Sequence, residues 1–163
     1  MKRAIIGLAA TTVVGLGIVA TNIGTAESAD MAVIKDRIEL MKKGVLANFK
    51  VISAFTKDGK GTLADVEKAG KGLQAAAAKI PAAFPKGTGR PDVDEKSTRA
   101  LSKIWEDWAA FEKAAKATGD HAGQVAMLAA KGDAEGVKKA AGMIGKDGCG
   151  ACHKAFRGEA AKK

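Results

Sequence analysis

Residues 31–55, MAVIKDRIELMKKGVLANFKVISAF, decide the fold. Apolar side chains recur there at Ile34, Ile38, Met41, Val45, Phe49, Ile52 and Phe55, in steps of 4, 3, 4, 4, 3 and 3. That period lays one apolar stripe along a long helix. Lys57-Asp58-Gly59-Lys60-Gly61 breaks it, and Thr62 is placed to cap a second helix. The second stripe is Leu63, Val66, Gly70, Leu73, Ala77 and Ile80, a strict 3–4 alternation suited to bundle packing. Pro81 and Pro85 end it.

Residues 84–96, FPKGTGRPDVDEK, form the one long loop, with two prolines and two glycines. Ser97 or Thr98 is expected to open the third helix, with Leu101, Ile104, Trp105, Trp108, Phe111 and Ala115 facing inward. Thr118-Gly119-Asp120 is expected to bend that helix. Lys131-Gly132-Asp133 is a turn. The last helix starts near Ala134 and runs through Val137, Ala141 and Ile144 to about Phe156. Four helices with short or moderate connections predict an all-α, antiparallel up-down-up-down four-helix bundle.

Composition agrees. The 163 residues suffice for one domain, and aromatics are 4% with no Tyr, against what an all-β core needs. No strand–glycine-turn–helix unit, P-loop or nucleophile elbow is present, so no nucleotide or acyl-transfer site is indicated. The net charge of +9 favours acidic partners. Beyond the leader the basic residues are scattered, without the block that tracks a phosphate backbone, so nucleic acid is not an expected partner.

The first residues read as an address. Met1-Lys2-Arg3 is a short basic start, and Ala4 to Ile23 carries no charge. Small residues follow, with cleavage expected after Ala26 or Ala29. Residues 1–29 therefore read as a secretory signal peptide and residues 30–163 as the exported bundle, placed in the periplasm. Membrane association is expected only if the leader stays uncleaved.

One motif carries chemistry. Cys149-Gly150-Ala151-Cys152-His153 is C-x-x-C-H, and it uses both cysteines of the chain. On a helix the two thiols lie one turn apart, within reach of the two vinyl groups of a porphyrin, and His153 can offer a ring nitrogen to the iron. The pattern is that of covalent haem c attachment. The competing readings are weaker: a thioredoxin-like pair wants a βαβ setting, zinc wants a fourth ligand such as His121, and the pair could close a simple disulfide.

The motif lies near the C-terminus, on the last helix of a bundle. In this the chain resembles the class II cytochromes c, the cytochrome c′ and cytochrome c-556 family. The resemblance also rests on residues 33–41 (VIKDRIELM), Ala83-Phe84-Pro85, residues 104–111 (IWEDWAAF) and residues 144–157 (IGKDGCGACHKAFR). It implies that Cys149 and Cys152 hold the haem and that His153 is an axial iron ligand. It implies that Arg157 lies near that imidazole and Arg37 near a haem propionate. Met41, four residues after Arg37, matches the position that completes iron coordination in the c-556 branch. In the c′ branch the matching residue packs over the iron without bonding to it.

The expected role is one-electron transfer by a monohaem carrier rather than an enzyme, with redox partners of acidic surface. The alternative is a five-coordinate cytochrome c′ that binds NO or other small gases. Met31, Met127 and Met143 are read as core packing, and His121 as solvent-exposed. One of Trp105 and Trp108 is expected to pack and at most one to touch the haem. A second apolar row on the first helix, Leu40, Leu46 and Val51, serves either a homodimer contact, as in related proteins, or a thicker core.

Overall fold

The computed structural model describes residues 24–162. Four helices run in antiparallel order. Helix α1 covers residues 24–58, α2 covers Leu63–Ala77, α3 covers residues 103–130 with a break at Asp107, and α4 covers residues 134–156. Among the described residues there is no strand, only two isolated bridges, Arg90 with Leu101 and Ala100 with Arg157. The all-α four-helix bundle is as predicted. Leader residues 1–23 lie outside the described residues, and both expected cleavage points fall in the first turns of α1.

Local chemistry sets the helix starts. Thr62 and Asp65 form a reciprocal capping box at α2: the Thr62 hydroxyl accepts from the Asp65 N–H, and the Asp65 carboxylate accepts from the Thr62 N–H. Asp107 caps the long part of α3, and Asp133 caps α4. Helix α1 ends at Gly59, which takes the left-handed conformation (φ 65°) that a glycine tolerates.

The third helix departs from expectation at both sites. It opens at Lys103 rather than near Ser97, because Thr98 is drawn inward as a hydrogen-bond partner. It does not bend at Thr118-Gly119-Asp120, since Trp108–Ala130 is one continuous helix. Thr118 returns its hydroxyl to the Ala114 carbonyl, and Gly119 lets Ala77 of α2 approach.

Two turns of the bundle are π-helical: Leu40–Leu46 within α1 and Ile144–Gly150 within α4. The second carries three glycines, 145, 148 and 150. Such wide turns are uncommon and cluster at functional sites. They hold Met41 and Cys149.

The core is built from aliphatic side chains at one level and small residues at another. Ile52, Val66, Leu73, Ile104, Phe111, Val125, Val137 and Ile144 are fully buried. The α2–α3 pair is the most extensive contact. It is close because Gly70 faces Ala122 and Ala126: a Cβ at position 70 would stand 2.9 Å from the Ala122 carbonyl oxygen. The apolar stripe of α1 is shifted from the sequence reading. Ile38 is 38% exposed, while Arg37 is only 4% exposed.

Arg37 organises the long loop. Its guanidinium donates to the Thr88 hydroxyl (3.0 Å), the Thr88 carbonyl (2.9 Å) and the Thr98 hydroxyl (2.9 Å), and it lies 4.5 Å over the Phe84 ring. Burial lowers it to about 10, so it stays charged at neutral pH. The loop is closed from the other side by Trp105, whose indole N–H donates to the Phe84 carbonyl (3.0 Å) and whose ring lies against Gly89. Residues 98–101 then reach the end of α4: Leu101 N–H donates to Phe156 (3.1 Å) and Gly158 N–H to Arg99 (2.8 Å).

Gly70→Ala should lower stability by about 1–3 kcal/mol, because the facing atoms are main chain and cannot yield. Gly142→Ala, in a helical site with nothing within 4 Å, should raise it by about 0.5–1 kcal/mol. Paired thermal melts with shifts of opposite sign would bear out both. Arg37→Ala should cost about 3 kcal/mol and expose the 84–101 loop to protease, with Arg37→Lys rescuing little because an ammonium cannot span both threonines. Wild-type proteolysis rates in Arg37→Ala would refute that role.

Candidate functional site

The two cysteines stand where the π turn of α4 gives way to an α turn. Cys149 is the next-to-last residue of the π segment and Cys152 lies in the short helix Ala151–Phe156. Both thiols are unpaired and half-buried. Burial raises both, Cys152 to about 11, so the haem-free thiols are protonated at neutral pH.

Gly148 fixes their position. A Cβ there would meet the Thr118 hydroxyl at 2.6 Å and the Thr118 Cα at 3.0 Å, so the chain one residue before Cys149 lies directly on α3. Thr118 is buried at this contact. Neither residue was expected to position the motif from the sequence. The clue was a glycine immediately before the motif, facing a β-branched polar residue on a helix.

His153 follows on an exposed part of the same helix. Partial desolvation by its neighbours, then the positive charges of Arg157 and Arg99, lower its pKa from the ordinary imidazole value. The shift favours the neutral ring, which keeps a nitrogen lone pair for a metal. Arg157 therefore stands near His153. Arg99 joins it and was not anticipated; it arrives from the loop, a long way off in sequence.

Arg37 and Met41 lie one turn apart on α1. Met41 is half-buried and packs against the core, within the π segment Leu40–Leu46. The loop brings this turn to the level of the haem motif. Arg37 bonds Thr98; two residues on, Ala100 pairs with Arg157, one turn after His153. Helices α1 and α4 pack together at 47–58 against 134–143. Toward Met41 and Cys149 they take different partners, the 40–46 turn packing on α2 and the 144–150 turn on α3.

The other candidates fall away from the site. Met31, Met127 and Met143 are 44%, 50% and 38% exposed, so they are surface side chains rather than core packing. His121 is half-buried on an unbroken helix, not on an exposed bend. Trp105 closes the loop, and Trp108 packs its ring 5.4 Å from Phe111. Of the second row on α1, Leu40 packs against the core while Leu46 and Val51 are exposed.

The residues present fit a covalent haem. Two partnerless thiols beside an imidazole are the donor set that thioether attachment and iron ligation require. The buried Arg37 guanidinium faces only neutral acceptors, an environment that a propionate carboxylate would complete. No group of three or more His, Cys, Asp and Glu able to hold a metal ion occurs among the described residues, so the zinc reading has no support there.

Comparison with known proteins agrees. Residues 32–157 match the family model described as Cytochrome C′. A cytochrome c′ from Rhodospirillum rubrum is 36% identical over 80 residues, 49% of this chain. The chain spans about half the length of that relative, 51%, and 94% of a cytochrome c′ from Pararhodospirillum photometricum, 29% identical over 123 residues. Among solved structures, cytochrome c′ from Thermochromatium tepidum superposes with a TM-score of 0.69 at 27% identity, covering 80% of this chain and 97% of that one. A nitric oxide complex of a cytochrome c′ variant from Alcaligenes xylosoxidans has the same fold, with a TM-score of 0.68 at 24% identity and the same coverage. With a family match over most of its length and the attachment motif on its last helix, the chain belongs to the cytochrome c′ family of class II cytochromes c and carries covalent haem c.

Proposed function

We propose that this protein is an exported, periplasmic one-electron carrier in which His153 and Met41 are the two axial ligands of the haem iron. The observation that supports this reading is the placement of Met41. It is a half-buried thioether one turn from Arg37, and the loop that Arg37 holds is bonded to the helix end just beyond His153. Bound haem c supplies a single iron that alternates between Fe(III) and Fe(II).

The chain's own residues set the conditions. Cys149 and Cys152 anchor the group so that it cannot dissociate. Neutral His153 offers its nitrogen, and Met41 offers a soft sulfur that favours the reduced iron. Arg37 directs donors at a propionate. Gly148 on Thr118 fixes the height of the motif. The protein activates no substrate in this role, so it is a carrier rather than an enzyme. Its net positive charge steers it toward redox partners with acidic surfaces, in a salt-sensitive encounter. We place any homodimer contact on the exposed apolar residues Ile38, Leu46 and Val51 of α1. No helix among the described residues is long and apolar enough to cross a membrane.

A second reading has its own support. The similar solved structures include a nitric oxide complex and a carbon monoxide-bound variant, both from Alcaligenes xylosoxidans. In that reading Met41 packs over an open iron position without bonding to it, and a small neutral gas binds there.

Optical spectra of the purified holoprotein separate the two. Met41 ligation should give a sharp reduced α-band, a weak sulfur-to-iron band at the red end of the oxidised spectrum, and little response to CO. Met41→Ala should then lose the red band and gain CO binding. A broad high-spin spectrum that CO shifts in the wild type would transfer the assignment to gas binding. Cys149→Ser with Cys152→Ser should leave a protein from which denaturation and acid-acetone extraction remove all haem; retained haem would contradict covalent attachment.

A further inference from the structure

We propose that Arg90, Arg99 and Arg157 form a binding site for a multivalent oxyanion of the phosphate class, at the end of the bundle beside His153. Two parts of the chain bring these arginines to one end of the bundle. Arg90 and Arg99 lie on the long loop, and Arg157 lies just past the last helix. The Ala100–Arg157 bridge and the Arg90–Leu101 bridge set the main chains side by side.

The point where they meet is Gly158. Arg99 Nε donates to the Gly158 carbonyl (2.7 Å), and the Gly158 N–H donates to the Arg99 carbonyl (2.8 Å). A Cβ at position 158 would stand 3.1 Å from Arg90 Nη1, so a glycine is what lets that guanidinium come in. Arg90 is held in turn by the Thr98 carbonyl at Nε (2.8 Å) and the Glu95 carbonyl at Nη2 (2.6 Å).

These bonds occupy the inner edges of the Arg90 and Arg99 guanidiniums and immobilise them. Arg90 Nη1 and both terminal nitrogens of Arg99 make no hydrogen bond within the chain among the described residues. Arg157 is exposed beside them. Guanidiniums fixed in this way have already lost their side-chain freedom, and the planar fork matches the oxygens of a tetrahedral anion. None of the three has a carboxylate partner among the described residues. The four side-chain ion pairs among the described residues all use lysines: Lys43, Lys71, Lys116 and Lys138. The carboxylates nearest in sequence, Asp92, Asp94, Glu95 and Glu159, are exposed and form no ion pair with the arginines. Clustered positive charge without counter-ions is unfavourable, and a doubly charged anion relieves it.

The site has a consequence for the iron. An anion held beside His153 offsets the positive field of Arg99 and Arg157 and favours Fe(III). Binding of the anion is independent of the electron-carrier reading. Only this effect on potential uses His153 as iron ligand, and the two are measured separately.

The test is calorimetric titration of the holoprotein with inorganic phosphate, against sodium chloride at matched ionic strength. Saturable phosphate binding absent with chloride is expected. Arg99→Gln keeps a donor for the Gly158 carbonyl but removes the charge, and should weaken binding about tenfold. Arg90→Gln should do the same. The reduction potential should fall as phosphate saturates the wild type and stay level in Arg99→Gln. Phosphate heats equal to those of chloride would overturn the site, as happens if the haem's own propionates hold these guanidiniums. Equal affinity in wild type and both variants would also overturn it. Binding that leaves the potential unmoved would overturn the coupling to His153.

Discussion

The arrangement of this molecule depends on one buried cation. Arg37 takes an inward position on α1 where the apolar period has room for Leu or Ile, and it bonds to two threonines fifty and sixty residues away. A charge in that place is costly unless its donors are met. Thr88 and Thr98 meet them, and in doing so they fix a loop that has no regular structure of its own. The same loop is stitched to the far end of α4. Arg37 thus connects the helix that carries Met41 with the helix that carries the cysteines and His153, although these two helices part at that level. This loop, rather than direct contact between the 40–46 and 144–150 turns, joins the two helices there.

Much of this was legible in the sequence. The C-x-x-C-H spacing is a local covalent requirement, so it survives any detail of packing. Helix existence followed from the 3–4 spacing of apolar residues, and Thr62 announced its cap. The errors share a cause. Ile38 was assigned inward and Arg37 was given no place in the core, because a period count gives polar residues no weight as core. Only the later threonines make Arg37 a core residue, and their distance in sequence hides the pairing. Thr118-Gly119-Asp120 looks like a helix breaker by local propensity. Tertiary contact turned it into a packing surface, with Gly119 toward α2 and Thr118 under Gly148. Arg99 entered the site for the same reason, as a loop residue whose neighbours are set by folding alone.

The two π turns show how composition serves the site. A wider turn displaces the side chains that follow it relative to an unbroken helix. One precedes the haem-bearing turn of α4 and the other contains Met41, so both helices change register at the level of the cofactor. Glycine at 44, 145, 148 and 150 makes room for the backbone to do so. At the opposite extreme, the α2–α3 seam uses alanine and glycine to bring two regular helices into close contact. One side of the bundle is therefore tightly and regularly packed, and the other is shaped around what it holds.

The distribution of aromatic side chains has an optical consequence. There is no tyrosine, and the two tryptophans both lie at the start of α3, where Trp105 closes the loop over Gly89 and Trp108 packs on Phe111. Ultraviolet emission from the haem-free chain therefore originates entirely from the loop end of the bundle. It reports opening or solvation of that end and is blind to the α2–α3 seam. A haem held by Cys149 and Cys152 would sit in the same small bundle as these indoles and would quench their light by energy transfer. Fluorescence is thus a built-in gauge of cofactor loading that needs no label.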